Sequence, residues 1–168
     1  MRTATIADAS AIAEIHVISW QTTYRGHMPD AVLDNLSIEE RAQQWRERIE
    51  KSICEILVAE DKHKIVGFLS FCPCRDEDVD PKITGEISAI YLLPEYKGRG
   101  LGLQLMTAAL DILQQRHYQQ VMLWVLAANQ QARQFYEKLG FQLDCIKQNP
   151  DRIAGTVLCD CRYRKQLF

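Results

Sequence analysis

The sequence predicts an α/β domain, because runs of β-branched and aromatic residues alternate along it with apolar stripes at helical spacing. Two stretches carry that expectation. Ile87 to Leu93 is a strand-like run stopped by Pro94, which has no N–H to give a ladder, and after it Leu101, Leu105, Ala109 and Leu113 recur every four residues, widened by Met106 and Leu110. Further on, Val121 to Ala127 reads as a strand that runs into Asn129, a good N-cap. The helix Gln130 to Leu139 follows, and Gly140 closes it.

The other elements follow from the start of the chain. A short strand is expected at Met1 to Ile6, then Asp8 as N-cap of a helix striped by Ile12, Ile15 and Ile18, with His16 beside the stripe as a core or surface histidine. Pro29 to Leu36 reads as a second short helix. Ser37-Ile38-Glu39-Glu40 has the Ser-x-x-Glu spacing of a capping box and starts a third helix through Trp45 and Ile49. Strands are expected at Glu55 to Ala59 and Ile65 to Cys72, joined by the polar turn Asp61-Lys62-His63-Lys64, and at Gln142 to Ile146 and Thr156 to Arg164 near the end.

Composition bounds what the chain does. With 168 residues, 47% hydrophobic and 25% charged, it has ordinary globular make-up, and with no repeat, linker or low-complexity tract residues 1–168 read as one domain. The 20 basic and 22 acidic residues are interspersed at a net charge of −2, which leaves no footprint for nucleic acid. No apolar run has the length of a membrane span and Met1-Arg2 leads into a polar stretch, so no membrane association and a cytoplasmic location are expected. The six cysteines are expected to stay reduced. Cys72-Pro-Cys74 and Cys159-Asp-Cys161 lack the two-residue gap of metal knuckles and share one strand face, so no metal is expected.

Between the central strand and its helix stands Lys97-Gly98-Arg99-Gly100-Leu101-Gly102. Glycines two apart let the backbone come close to a ligand and turn several N–H groups toward one point. The helix dipole adds positive potential there, so a diphosphate is the natural guest. The run is neither a dinucleotide fingerprint nor a P-loop, since Gly102 is followed by Leu103 and Gln104.

Read as Lys97-x-x-Gly100-x-Gly102, the loop resembles the Gln/Arg-x-x-Gly-x-Gly/Ala coenzyme A loop of the GNAT superfamily of acyl-CoA-dependent N-acyltransferases, with lysine at the first position. Downstream, Asn129-x-x-Ala132-x-x-Phe135-Tyr136-x-x-x-Gly140-Phe141 is similar to the segment of that superfamily that binds coenzyme A and supplies the acid. The resemblance implies a mixed, mostly antiparallel sheet of about seven strands, flanked by helices and splayed between the fourth and fifth. It implies acetyl-CoA as co-substrate, no metal, and direct attack in a ternary complex by a primary amine of a small-molecule or amino-acid-like acceptor. Alternatives are a protein or peptide amine as acceptor, a non-catalytic acyl-CoA sensor, or a partner-binding scaffold. A monomer or homodimer is expected.

Residue by residue, the resemblance makes Tyr136 the acid toward the departing thiolate and Glu86 the base, acting directly or through water. Main-chain groups of Ile90 and Leu92 would pair with pantetheine amides as another strand does, and the Leu92 N–H would steady the thioester oxygen. Lys97, Gly98, Arg99, Gly100, Leu101, Gly102 and Leu103 would hold the pyrophosphate, with Asn129 and Arg133 nearby. From the residues alone, Tyr136 reads first as a core partner of Phe135, Glu86 as a solvated strand end, and Arg99 and Arg133 as surface charges. For the acceptor, Ser19-Trp20-x-x-x-Tyr24-x-Gly26-x-x-Pro29 resembles a sub-group of bacterial members. Trp20 and Tyr24 share a helix face and read as pocket walls or as core. Arg162 or Arg164 would meet an acceptor carboxylate, and the acidic turn Asp76-Glu77-Asp78-Val79-Asp80 is either a lure for cationic amines or a solvated loop.

Overall fold

The computed structural model describes residues 1–153 and 156–168, and side chains outside 149–156. Its strands are β1 (Arg2–Thr3), β2 (Glu55–Asp61), β3 (Lys64–Pro73), β4 (Thr84–Leu92), β5 (Gln120–Leu126), β6 (Gln142–Ile153) and β7 (Thr156–Gln166). The helices are α1 (Ala9–Thr23), α2 (Asp30–Asp34), α3 (Ile38–Glu50), α4 (Leu101–Gln115) and α5 (Gln130–Lys138). They build one seven-stranded sheet in the order β1-β2-β3-β4-β5-β7-β6. Every pairing is antiparallel except β4 with β5, so the expected mixed, mostly antiparallel sheet is present.

Several boundaries differ from expectation for local reasons. β1 is two residues long because a 3-10 turn, Ile6–Asp8, takes over the chain. The Asp8 carboxylate accepts from the Thr5 N–H at 2.7 Å and from the Arg2 guanidinium, so it caps that turn and makes no side-chain bond to α1. Ser37 does cap α3, accepting from the Glu40 N–H at 3.1 Å, but its hydroxyl gives its proton to Glu39. β4 begins at Thr84, three residues before the expected Ile87, and β6 runs past Ile146 to Ile153 because β7 pairs with it over that length.

β3 is buried from Ile65 to Cys72, as suits a central strand covered on both faces. Phe68 meets Trp45 of α3 with ring centroids 5.2 Å apart and His16 of α1 at 6.4 Å, which sets α1 and α3 on one face. Gly85 stands opposite Pro73, on the other parity of β3, and lies against Leu113 of α4. The α4 helix therefore covers the face opposite Phe68. A separate small core of Tyr24, Met28 and Leu33 packs on Leu126 and Leu158, carrying the α1–α2 segment over the second half of the sheet.

Two irregularities position the site. At Ser88 the β3–β4 register slips by one residue, a bulge whose hydroxyl donates to Ser70, and β4 pairs with β5 only from Thr84 to Ile87. Beyond that point the two strands part, and the splay expected between the fourth and fifth strands is this gap.

Under α1, His16 Nδ1 accepts from the Trp45 indole N–H at 3.2 Å and the imidazole stacks on Tyr91, centroids 5.0 Å apart, while Nε2 is buried without a partner among the described residues. Burial, then the charges of Arg41 and Arg48, pushes His16 down to about 3. Its folded value lies below the ordinary value of about 6.5, so the unfolded chain takes up a proton that the folded one refuses. The contribution of neutral His16 is whole above about pH 6.5 and shrinks as pH falls toward 3. Between pH 7 and 5 the melting temperature should fall more steeply for the wild type than for His16→Gln, and equal slopes would mean that the imidazole is protonated within the fold.

Candidate active site

From Ala89 to Leu92, β4 pairs with β3, and from Trp124 to Leu126, β5 pairs with β7, so the edges facing each other across the gap have no ladder between them. A cavity of about 870 Å³ occupies the wedge. Leu93 donates its N–H toward β3, to the Val66 carbonyl at 2.9 Å, and strand alternation then turns the N–H groups of Ile90 and Leu92 into the wedge. The Leu92 carbonyl is already engaged by the Ser19 hydroxyl of α1 at 3.1 Å. Both expected residues line the cavity, and their main chain offers what an amide-bearing ligand needs.

Where β4 ends, Gly98 and Gly100 hold φ of +75° and +82°, left-handed torsions that glycine adopts without strain. A Cβ added at either would meet nothing within 4 Å, so it is the torsion and not crowding that requires glycine. Gly100 is the N-cap of the 15-residue α4 and makes no side-chain bond. The first N–H bonded back along the helix is that of Gln104, to the Gly100 carbonyl at 3.1 Å, which leaves Leu101, Gly102 and Leu103 with main-chain donors at the positive end of the helix dipole.

The other expected cofactor contacts divide. Lys97, Gly98, Gly100, Gly102 and Leu103 line the cavity, whereas the side chain of Arg99 lies over the Tyr96 ring at 5.2 Å and Leu101 is not part of the lining. The Lys97 Nζ sits 3.4 Å from the Thr23 hydroxyl, and burial lowers its pKa. Asn129 lines the cavity with its carboxamide oxygen spent on the Ala132 N–H, capping α5. Arg133 donates to the Tyr163 hydroxyl at 3.0 Å and the Ala127 carbonyl at 3.2 Å, tying α5 to the sheet, and does not reach the cavity.

Tyr136 and Glu86 both reach the wedge, from opposite faces of the sheet. Tyr136 packs beside Tyr163, which registers with Leu123 and through it with Ile87, on the α4 face. Its hydroxyl has no hydrogen-bond partner among the described residues. Burial, then Tyr91, raises its pKa, so the phenol keeps its proton at neutral pH. Glu86 registers with Cys72, on the Phe68 face, and is 5% exposed. Arg75 holds it: the main-chain N–H at 3.2 Å and Nε at 3.0 Å donate to one oxygen, and a terminal nitrogen donates to the other. The Arg75 side chain is 62% exposed, so the clamp can be reached from solvent. Nothing near Glu86 in the sequence announces Arg75, because the pairing exists only once the β3–β4 connection folds back.

The same face carries a second charged group that sequence spacing did not reveal. The indole N–H of Trp124 donates to Asp76 at 3.0 Å, and its ring lies 5.0 Å from the Lys147 Nζ and 5.6 Å from the Arg162 guanidinium. Arg162, nearly buried, donates to Asp76 at 2.9 Å, to Asp78 at 2.7 and 2.8 Å and to Asp144 at 2.6 Å. Its fork is consumed, and it has no donor left for an acceptor carboxylate. Arg164 bonds Gln120 and Asp144 and does not line the cavity. The acidic turn is therefore docked at Asp76 and Asp78, and of its residues Asp76 lines the cavity, as does the buried Asp160. Of the two expected aromatic walls Tyr24 lines the cavity. Trp20 does not; its indole N–H donates to the Tyr91 hydroxyl at 2.9 Å under the Arg41 guanidinium.

Residues 9–141 match the acetyltransferase (GNAT) family. An N-acetyltransferase of Bacillus subtilis, YuaI, itself uncharacterised, is 35% identical over 159 residues, 94% of this chain and 87% of its own length. Among solved structures, an N-acetyltransferase from Staphylococcus aureus superposes with a TM-score of 0.79 at 20% identity, over 99% of this chain and 97% of that one. Salmonella typhimurium yncA, solved with its cofactor acetyl-CoA, superposes with a TM-score of 0.74 at 22% identity, over 99% and 92% of the two chains.

Removing Arg162 leaves three carboxylates facing one another. Arg162→Met should cost up to about 3 kcal/mol, the low end for breaking a buried pair, since Asp78 and Asp144 keep contact with water. Urea denaturation measures it, and Asp76→Asn added to Arg162→Met should recover part of the loss; no recovery would show that the cost lies in packing.

Proposed function

The chain belongs to the GNAT acetyltransferase family, and from that premise we propose that it moves an acetyl group from acetyl-CoA to the primary amine of a small molecule, both ligands meeting in the wedge between β4 and β5. One observation carries the proposal: Tyr136 reaches the wedge from the α4 face and Glu86 from the α1 face, so an acid and a carboxylate flank the same gap from opposite sides.

Acetyl-CoA supplies an acetyl thioester, an electrophilic carbonyl with a sulfur leaving group. The residues present suit it. The donors of Leu101, Gly102 and Leu103 at the α4 N-terminus would take the pyrophosphate, with Lys97 adding positive charge beside it. Ile90 and Leu92 would pair with the pantetheine amides along the open β4 edge, and the Leu92 N–H would also serve to steady the carbonyl oxygen. Tyr136, protonated and without an internal partner, would give its proton to the departing sulfur. Glu86 would take the proton from the attacking ammonium, directly or through water, once the acceptor's own cation competes with Arg75 for it. No cysteine lines the cavity among the described residues, which favours direct attack by the amine over an acyl-cysteine route. Tyr24 would wall the acceptor's side, with Asp76 and Asp160 attracting its positive charge. An arginine for an acceptor carboxylate is not part of the proposal, because Arg162 is fully occupied.

Acetyl-CoA at about a hundred times its dissociation constant should stabilise the fold by roughly 2.7 kcal/mol. Gly100→Val forces a β-branched residue into a left-handed torsion and turns the cradle's N–H groups away, so it should abolish that stabilisation; normal binding would place the pyrophosphate elsewhere. Tyr136→Phe keeps the ring and should leave acetyl-CoA binding intact while kcat falls about 10²-fold. Glu86→Gln should depress kcat/KM most at low pH, where the amine most needs a base, and a uniform loss across pH would assign Glu86 to structure alone.

A further inference from the structure

The α1 face of the wedge already holds a primary amine that belongs to the chain. Lys147 of β6 registers with Asp160 of β7, which registers with Leu126 of β5, so the three stand in one row on one face. From the far end of that row the lysine reaches back across β7, and its Nζ lies 5.0 Å from the centre of the Trp124 ring on β5. Lys147 lines the same cavity as Tyr136 and Glu86, and it is otherwise exposed, so its four-carbon stem is free to swing. The Trp124 ring, which the Arg162 guanidinium also overlies, holds the ammonium at the wall of the wedge, where its charge is felt by Asp78. Lys97, the other lysine in the lining among the described residues, belongs to the glycine loop, beyond the end of β4 opposite to Glu86.

We infer that Lys147 is a site of self-acetylation in cis, an intramolecular amine that takes the acetyl group when no acceptor occupies the wedge. The inference rests on the acetyl-transfer function proposed above. In the step, the ε-ammonium first gives up one proton to solvent, directly or by way of Glu86, and the nitrogen lone pair forms an amide bond to the acetyl carbon. The thioester C–S bond breaks with its electron pair on sulfur, which takes a proton from Tyr136, and the nitrogen's second surplus proton passes through solvent to restore the Tyr136 phenol. The sum is one amide, one free thiol and one proton released. Because the amine is tethered beside the gap, it needs no encounter. Acetylation removes the charge that sits over Trp124 and leaves a bulkier neutral amide on the acceptor's side, so it would slow turnover of added amines.

The test incubates the whole protein with acetyl-CoA and no added amine, and follows it by intact mass and peptide mapping. One acetyl group should appear, on Lys147, with a rate constant unchanged on dilution of the protein. It should be absent in Lys147→Arg, and about 10²-fold slower in Tyr136→Phe of unchanged melting temperature. Thermal stabilisation by acetyl-CoA and thiol release with a panel of amines are measured alongside. If acetyl-CoA binds and amines turn over while Lys147 stays unmodified, self-acetylation is refuted and the acetyltransferase function stands. Acetylation spread evenly over exposed lysines, or as fast in Tyr136→Phe, refutes it as adventitious chemistry. If acetyl-CoA neither binds nor is consumed, both proposals fall together.

Discussion

The site depends on one break in hydrogen bonding: β4 and β5 run side by side as far as Ile87 and Leu123 and then part. Main-chain donors and acceptors inside a protein must find partners, and a strand edge is a row of them. Each strand secures one edge, β4 against β3 and β5 against β7, and the bulge at Ser88, tied down by the Ser70 bonds, swings the rest of β4 away. The Ser19 hydroxyl satisfies one exposed carbonyl, that of Leu92. What is left open is a ladder with one rail missing, and it ends at the uncapped start of α4, where three more N–H groups await an acceptor.

Charge is handled differently on the two faces of that wedge. On the α1 face carboxylates crowd together, Glu86 buried, Asp76 partly so and Asp78 and Asp144 in contact with water, and such a cluster is costly unless a cation and several hydrogen bonds go with it. Arg75 meets that need for Glu86, and Arg162 meets it for Asp76, Asp78 and Asp144 together, through the planar fork that lysine lacks. Trp124 is fastened into this network by its indole N–H and gives its ring to the Lys147 ammonium. On the α4 face the Tyr136 phenol, without a hydrogen-bond partner among the described residues, lines the cavity and keeps its proton because burial raises its pKa. The two faces thus differ in charge, paired ions on one side and a neutral phenol on the other.

How legible this was depended on whether a residue's role is local. Glycine torsions and helix caps are set within a few residues, and so the Lys97 to Gly102 loop and the Asn129 cap of α5 were readable from the chain. Asp8 was misjudged because a competing local turn claims its carboxylate, and Arg2 claims what remains. Arg133 and Trp20 carry motif positions, yet packing turns them to the Tyr163 hydroxyl and the Tyr91 hydroxyl, away from the cavity. Arg75, Trp124 and Lys147 had no signal of their own, since each matters through a partner on another strand or across a loop.

By itself the sequence determined the α/β class, nearly every element, the glycine loop at the head of α4, and the family, because periodicity, capping and turn torsions are short-range properties written into neighbouring residues. The tertiary structure alone decided where β4 leaves β5, on which face each titratable group emerges, and which charges are spent on one another. Strand register is set between segments far apart in the chain, and a single-residue slip such as that at Ser88 reverses which side chains look into the gap, so no local pattern could have placed Glu86 and Tyr136 on opposite sides of it.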